Sequence, residues 1–150
     1  MERKKILITG GAGFVGYHLA RHLLSTSTAK LVLVDNLFRG RMDAELKTVL
    51  KNSRVTFLNL DLTDPRAYLR LGSQYDHVYH LAAVNGTGIF YDMPHEVMRI
   101  NTATILLFLE WFRKRMLAAR FFSRLQTKRM REGSPRLASC RSQRQKMCRS

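Results

Sequence analysis

Four glycines within seven residues, directly after a short apolar run, constrain the fold of this sequence more than any other feature. Residues 6–20 are ILITGGAGFVGYHLA. Glycine is costly in regular structure, so such a cluster usually serves one local backbone geometry. The run Lys5–Ile8 before it predicts a short buried strand, and Phe14–Ser25 after it has apolar residues at helical spacing. The cluster is therefore predicted to form the turn of a strand–turn–helix unit.

The remaining sequence alternates strand and helix patterns. Continuous apolar runs predict further strands at Ala29–Asp35, Arg54–Asp61, Asp76–Ala83 and from Arg120 to about Phe122. Helices are predicted from about Asp43 to Leu50, from Asp64 to Gly72 and from Pro94 to Arg115, with a loop over residues 84–93. Apolar strands that alternate with helices are typical of a parallel sheet covered on both faces. The predicted fold class is α/β, with a doubly wound parallel sheet of the Rossmann type.

The composition changes near Arg120, and this change predicts a domain boundary. Residues 120–150 contain 10 of the 26 Lys and Arg residues but only one of the 11 acidic residues. After Phe122 the sequence has no hydrophobic periodicity, and such a composition cannot bury enough apolar surface to order itself. We expect one incomplete domain over residues 1–122, with its sheet truncated after about the fifth strand. Residues 123–150 are expected to be a disordered basic tail.

The cysteines and the apolar runs exclude several classes of protein. Cys140 and Cys148 lack metal-ligand spacing, so no metal site is predicted. The basic start MERKK precedes only three apolar residues, too few for a signal peptide. The longest apolar stretch, residues 105–112, contains Glu110 and is far too short to span a membrane. We therefore expect a cytoplasmic protein without a membrane partner.

The glycine spacing and one acidic residue match a dinucleotide-binding fingerprint. Gly10 would permit the tight turn, Gly13 would let the backbone approach a pyrophosphate, and Gly16 would let the helix pack closely on the sheet. The phosphates would lie on the N–H groups of the helix that starts near Phe14. Asp35 ends the second predicted strand, 19 residues after Gly16, where the fingerprint has its ribose-hydroxyl acceptor.

Asp35 also bears on which dinucleotide is bound. A carboxylate there repels a 2′-phosphate, so NAD is favoured over NADP. Arg39 and Arg41 are close enough in sequence to accommodate that phosphate, and NADP stays open as the less favoured cofactor. Asp35 could instead cap a turn at the end of its strand.

With these residues in place, the sequence resembles the extended short-chain dehydrogenases, the NAD-dependent epimerase/dehydratase family that acts on nucleotide sugars. The resemblance covers about Lys4 to Phe122. Its motifs are TGGAGFVG (9–16), VDNLFRG (34–40), LDL (60–62), HLAA (80–83) and Asn101 in the long predicted helix. It implies NAD as cofactor, a nucleotide-sugar substrate and a homodimer for intact members of the family.

The resemblance also implies a set of cofactor-binding residues. They are Gly10, Gly13, Phe14, Val15, Gly16, Asp35, Asn36, Arg39, Asp61, Leu62, Leu81, Ala82, Ala83 and Asn101. Two of them have plain structural alternatives. Asp61 could begin a turn with the residues that follow it, and Asn101 could be an amide on the helix surface.

Polar residues near the fourth predicted strand are weaker candidates. His80 is expected to be a packed strand histidine rather than an acid or base, since the sequence shows no partner for it. Asn85, Thr87 and Tyr91 fall in a loop where the family often meets its substrate. Loop polarity alone would predict the same residues, so both interpretations remain.

The catalytic pair of the family is absent from this sequence. In the family, a Tyr-x-x-x-Lys pair serves hydride transfer, because the lysine lowers the tyrosine pKa so that the phenolate can act as base. No tyrosine here has a lysine four residues later. We therefore assign no catalytic residue and expect this chain to bind NAD without turnover.

The sequence that replaces the expected Ser/Thr loop is SRLQTKRM, residues 123–130. A shifted reading frame of residues 123–131 is compatible with Ala-Ser-Thr-Asn-Glu-Ala-Tyr-Ala, close to the family pattern. One hypothesis is therefore that residues from about Ser123 are translated out of frame in a truncated family member, which the coding DNA would decide. A natural basic tail is the alternative.

Two other functions remain open. The chain could be a non-catalytic NAD-binding or regulatory module. The basic tail could bind nucleic acid through phosphate contacts, but it lacks interleaved aromatic residues and any nucleic-acid-binding motif, so this function is not favoured.

Overall fold

The computed structural model describes residues 4–115 and the backbone of residues 120–123. Those residues contain five strands and five helices that alternate for most of the chain. The strands are β1 (Lys5–Thr9), β2 (Lys30–Asp35), β3 (Val55–Asn59), β4 (His77–His80) and β5 (Arg120–Ser123). The helices are α1 (Phe14–Thr26), α2 (Ala44–Leu50), α3 (Ala67–Arg70), α4 (Thr87–Asp92) and α5 (Pro94–Arg115).

The five strands form one parallel sheet in the order β3-β2-β1-β4-β5. The chain builds outward from β1 in one direction, then returns and continues in the other direction. This reversal lies between β1 and β4, where the loops that leave their carboxyl ends separate and leave a crevice. The prediction of an α/β, doubly wound, Rossmann-type sheet with a fifth strand near residue 120 is confirmed. The predicted tail lies outside the described residues, apart from Ser123.

Apolar side chains cover both faces of the sheet, which explains why its strands are continuous apolar runs. Successive residues of β1 point to opposite faces, so Leu7 enters one core cluster while Ile6 and Ile8 enter the other. The cluster of Leu7 is completed by side chains from α3 and α5, and the second cluster by side chains from α1 and α2. The helices therefore lie in two layers with the sheet between them.

Some element boundaries match the prediction and others do not. The helix Pro94–Arg115 and the capping role of Asp43 are confirmed, since an Asp43 carboxylate oxygen accepts a hydrogen bond from the Leu46 N–H at 2.8 Å. The helix predicted over 64–72 contains only the single turn α3, because turns occupy the residues before it.

Two further differences lie near the carboxyl end of β4. This strand ends at His80 rather than at residue 83. The loop predicted over residues 84–93 contains the short helix α4, none of whose residues is buried. Within residues 4–115, no helix has the length and apolar character needed to cross a membrane.

Candidate functional site

The glycine turn after β1 is compact because three chain segments meet there. Gly10 has φ +71°, and a Cβ atom on it would lie 2.8 Å from the Leu81 carbonyl carbon and 2.9 Å from the Ala82 nitrogen. A Cβ atom on Gly16 would lie 2.2 Å from the Gly10 carbonyl oxygen. The Gly13 N–H donates to that same oxygen at 3.1 Å. Gly10 serves the predicted tight turn, whereas Gly16 allows α1 to approach the turn itself rather than the sheet.

The N-terminus of α1 opens directly from this turn. Gly13 is the N-cap residue, and among the described residues no side chain accepts a hydrogen bond at this end. The first turn of α1 contains no acidic residue. The free N–H groups and the positive end of the helix dipole can therefore bind an anion. Phe14 and Val15 would take part through their backbone, since the Phe14 side chain is 81% exposed to solvent.

Asp35 joins the glycine turn to the loop that follows β2. One of its carboxylate oxygens accepts from the Ala12 N–H at 3.0 Å, and the other accepts from the Leu37 N–H at 2.8 Å. Asp35 therefore does cap a turn at the end of its strand, which is one of the two roles considered for it from the sequence. Each oxygen of a carboxylate accepts more than one hydrogen bond, so capacity remains for a ribose hydroxyl. The two interpretations of Asp35 are compatible.

The loop after β2 lies across the glycine turn. A Cβ atom on Gly40 would lie 2.6 Å from the Ala12 Cβ, so the two backbones are in close contact. The preceding residue, Arg39, extends its side chain to the segment after β4. A Cβ atom on Gly86 would lie 2.7 Å from Arg39 Nη1. Arg39 therefore contacts both sides of the crevice.

The carboxyl ends of β1 and β4 are connected through Thr9, which is fully buried. Its hydroxyl oxygen accepts from the Leu81 N–H at 3.1 Å and from the Ala82 N–H at 3.2 Å. The hydroxyl proton is left to donate to His80 Nδ1, 2.8 Å away. The imidazole stacks on Phe108 with 4.1 Å between ring centroids. Thr9 thus fixes the backbone of two residues that line the crevice.

Burial determines the charge of His80. Removal from water lowers the pKa of His80 to about 4. The ring is therefore neutral at pH 7, and Nδ1 accepts the Thr9 proton. The expectation of a packed strand histidine is confirmed.

Asn101 on α5 holds the segment that follows β4. Its side-chain oxygen accepts from the Val84 N–H at 2.8 Å, and its side-chain nitrogen donates to the Val84 carbonyl at 3.0 Å. Val84 lines the crevice, whereas Asn101 does not. Asn101 is therefore not a free amide on the helix surface, and its two hydrogen bonds hold the backbone of a residue that lines the cleft.

These elements enclose a cleft of about 350 Å³ at the carboxyl ends of β1, β2 and β4. Of the predicted cofactor-binding residues, the cleft is lined by Gly10, Gly13, Asp35, Asn36, Arg39, Asp61, Leu62, Leu81, Ala82 and Ala83. It is not lined by Phe14, Val15, Gly16, Asn101 or the substrate candidates Asn85, Thr87 and Tyr91. Most of the predicted set therefore meets in one place, and the substrate candidates lie apart on and beside the exposed helix α4.

One wall of the cleft comes from residues that the sequence analysis missed. They include Thr63 and four residues of α5, which are Glu96, Arg99, Ile100 and Thr104. The Arg99 guanidinium binds both carboxylate oxygens of Glu96, at 2.8 and 2.6 Å, and this pairing lowers the pKa of Glu96. Helical spacing places the four α5 residues on one face, but the sequence alone does not show which face meets the cleft.

Asp61 combines a turn with its place in the cleft wall. Its Oδ1 accepts from the Thr63 N–H at 2.9 Å and from the Thr63 hydroxyl at 2.8 Å. The turn alternative for Asp61 is therefore correct, and its second carboxylate oxygen remains available. Within the described residues, no group of His, Cys, Asp or Glu side chains is arranged to hold a metal ion.

Comparison with known proteins agrees with this geometry. The model of the family described as "NAD dependent epimerase/dehydratase family" matches residues 6–127. "Probable UDP-arabinose 4-epimerase 1" of Oryza sativa subsp. japonica is 39% identical over 112 residues, which are 70% of this chain and 26% of that protein. "dTDP-glucose 4,6-dehydratase" of Salmonella typhimurium is 33% identical over 113 residues, covering 73% of this chain and 31% of that protein.

A solved structure extends the comparison to the fold. The Bordetella bronchiseptica enzyme WbmF, crystallised in complex with NAD+, superposes with a TM-score of 0.70 at 27% identity. The match covers 81% of this chain and 36% of WbmF. The chain thus spans only about a quarter to a third of the length of these three proteins.

Proposed function

This chain belongs to the NAD dependent epimerase/dehydratase family, and from that membership we propose that its cleft binds NAD in the service of nucleotide-sugar modification. The observation that carries the proposal is the Asp35 carboxylate, held by two backbone N–H groups beside the glycine turn at the wall of the cleft. Its family relatives are nucleotide-sugar epimerases and dehydratases.

The residues present fit a dinucleotide. A Cβ atom on Gly10 would collide with the backbone of Leu81 and Ala82, and a Cβ atom on Gly16 would collide with the backbone of Gly10. The turn therefore needs glycine at both positions to bring the N-terminus of α1 to the cleft. In the proposed complex, that N-terminus holds the phosphates and Asp35 accepts from the adenosine ribose. Asp61 and Leu62 contact the adenine, and residues 81–83 line the cleft towards the nicotinamide. The nicotinamide, when bound, supplies a carbon that accepts or donates a hydride.

NAD is the proposed dinucleotide rather than NADP. A 2′-phosphate would lie near the Asp35 carboxylate and be repelled by it. Of the two cations that could compensate, Arg39 extends to Gly86 on the other side of the cleft, and Arg41 does not line the cleft. These positions support a site that prefers a free ribose hydroxyl.

We propose further that these 150 residues bind the cofactor without turnover. They contain no Tyr-x-x-x-Lys pair. Burial raises the pKa of Tyr75 to about 12 and also raises the pKa of Tyr68. Both hydroxyls have backbone carbonyls as acceptors: the single Tyr68 proton lies between the carbonyls of Leu62 and Thr104, and the Tyr75 hydroxyl donates to Leu71. Neither tyrosine can become a phenolate base near neutral pH.

Calorimetric titration of the full chain with NAD and NADP tests the proposal. We expect NAD to bind more tightly than NADP. Asp35→Asn should weaken NAD binding by about tenfold or more, because a hydrogen bond to a charged group is lost. Asp92→Asn is the matched control, since it removes one negative charge from the exposed end of α4.

Three results would contradict the proposed function. They are no heat of NAD binding to the wild-type chain, equal affinity of the Asp35→Asn and Asp92→Asn variants, and tighter binding of NADP than of NAD. Thermal melting of each variant shows whether the chain is still folded after the substitution, so that a loss of binding can be separated from a loss of structure.

A further inference from the structure

Arg39 crosses the carboxyl end of β1. Its backbone lies beside Gly40, which packs on Ala12 of the glycine turn, and its guanidinium contacts Gly86 after β4. Strands β2 and β4 are the two neighbours of β1, so their ends are about 10 Å apart. The Arg39 side chain spans this gap at the point where the glycine turn delivers the N-terminus of α1.

Arg39 is also the cation of the cleft lining that forms no ion pair with a carboxylate of the described residues. The charged side chains that line the cleft are Asp35, Arg39, Asp61, Glu96 and Arg99. Arg99 is paired with Glu96 through two hydrogen bonds. Within the described residues, no carboxylate lies within ion-pair distance of Arg39. An anion that entered the cleft would therefore find one available guanidinium, beside the glycine turn.

The turn itself provides only backbone donors for an anion. Its side chains, from Gly10 to Val15, are hydrogen, methyl or hydrocarbon groups without charge. A helix N-terminus contributes about half an elementary charge, whereas a dinucleotide diphosphate has two negative charges. A guanidinium presents several N–H donors in a plane and binds phosphate oxygens in pairs.

We propose that Arg39 is the side-chain cation for the diphosphate of the bound dinucleotide, which it reaches from the loop after β2 across the end of β1. The inference rests on the proposed function, because it assumes that the cleft takes a dinucleotide. It assigns Arg39 to the diphosphate, whereas the sequence analysis considered this residue as a partner for the 2′-phosphate of NADP.

Binding of ADP-ribose and of 2′-phospho-ADP-ribose to the full chain separates the two roles for Arg39. The variants are Arg39→Gln, Arg39→Lys and the control Arg41→Gln, which removes one exposed cation of the same loop that does not line the cleft. Arg39→Gln should weaken both ligands by about tenfold, Arg39→Lys by less, and Arg41→Gln by less than about twofold. Arg39→Gln should also reduce the salt dependence of ADP-ribose binding, because one ionic contact is gone.

Each other outcome overturns the inference in a distinct way. If Arg39→Gln weakens only the 2′-phosphorylated ligand, Arg39 serves the ribose phosphate. If Arg39→Gln and Arg41→Gln behave alike while the wild-type chain binds ADP-ribose, the proposed function survives and the role of Arg39 does not. If the wild-type chain binds neither ligand, the proposed function fails and the inference fails with it. Phosphorus NMR of bound ADP-ribose provides a second readout, since loss of a guanidinium contact should shift the diphosphate resonances.

Discussion

The glycine turn after β1 and the segment after β4 line the same cleft, but they are fixed in different ways. The turn is determined by its own backbone, with Gly10 at positive φ and Gly16 against the Gly10 carbonyl. The segment after β4 has few such constraints, and helix α4 within it buries no residue. Its Phe90, Tyr91 and Met93 side chains are exposed large hydrophobic groups.

This difference separates a rigid side of the cleft from an adaptable one. The rigid side takes its glycines and its N–H donors from residues that are close in sequence, and Asp35 and the backbone of Leu81 and Ala82 pack against them. The other side depends on two polar anchors from elsewhere, Thr9 on β1 and Asn101 on α5.

The largest effect is expected where the turn has no space for a side chain. Gly16→Ala would place a methyl group 2.2 Å from the Gly10 carbonyl oxygen, a backbone atom that cannot move aside as a flexible side chain could. We expect a loss of about 4 kcal/mol or more in the free energy of unfolding, enough to prevent folding of a marginal domain. Urea denaturation monitored by circular dichroism measures it.

Gly88→Ala is the control from the other side of the cleft. Gly88 lies within α4, and a Cβ atom on it would have no neighbour within 4 Å. Alanine there should leave stability unchanged or raise it by up to about 1 kcal/mol, because alanine favours the helix. If both alanine variants cost the same, the contrast between the two sides is wrong.

A smaller loss of stability should come from protonation of His80, whose ring accepts a hydrogen bond from Thr9 between β1 and β4. The pKa of His80 is about 4 in the folded chain and 6.5 in the unfolded chain, so the unfolded state takes up a proton first as the pH falls. The free energy of unfolding should therefore fall as the pH drops below about 6.5, and the contribution of neutral His80 should be fully lost below about pH 4. The difference in pKa corresponds to about 3 kcal/mol.

Unfolding free energies between pH 7 and pH 4 test this dependence. His80→Gln should remove that part of the pH dependence, although the variant is less stable at pH 7. His22→Gln, on the exposed face of α1, should keep the wild-type pH profile. An unchanged profile in His80→Gln would show that other groups cause the acid sensitivity.

The rigid side of the cleft was largely predictable from the sequence. The turn, its helix and Asp35 lie within 30 residues, and each requirement is a local one: a positive φ, a close backbone approach, an acid at a strand end. The fold class followed for a similar reason, since the apolar runs that form the strands are buried on both faces. Even the cap at Asp43 depends only on a residue three positions later.

The other side could not be predicted in the same way, because its geometry depends on long-range packing. The apolar run of the fourth strand continues to Ala83 in the sequence, yet β4 ends at His80 because Leu81 and Ala82 turn their N–H groups to Thr9. Glu96 and Arg99 reach the cleft through the position of α5 across the sheet. The hydrogen bonds of Asn101 to Val84 join residues 17 positions apart, so they too depend on how α5 packs beside the segment after β4.

The smallest effect sharpens the comparison most directly, because it should change one side of the cleft alone. Asn101→Ala removes both hydrogen bonds to Val84, and the better helix propensity of alanine offsets part of the loss. We expect a net cost of about 1 kcal/mol in the free energy of unfolding. Hydrogen exchange should become faster at the Val84 amide while protection of the glycine turn stays the same. Thr102→Ala, at the next and exposed position of α5, should change neither. Faster exchange in both the turn and the segment after β4 would show that they open together, and the two sides would then form one cooperative unit.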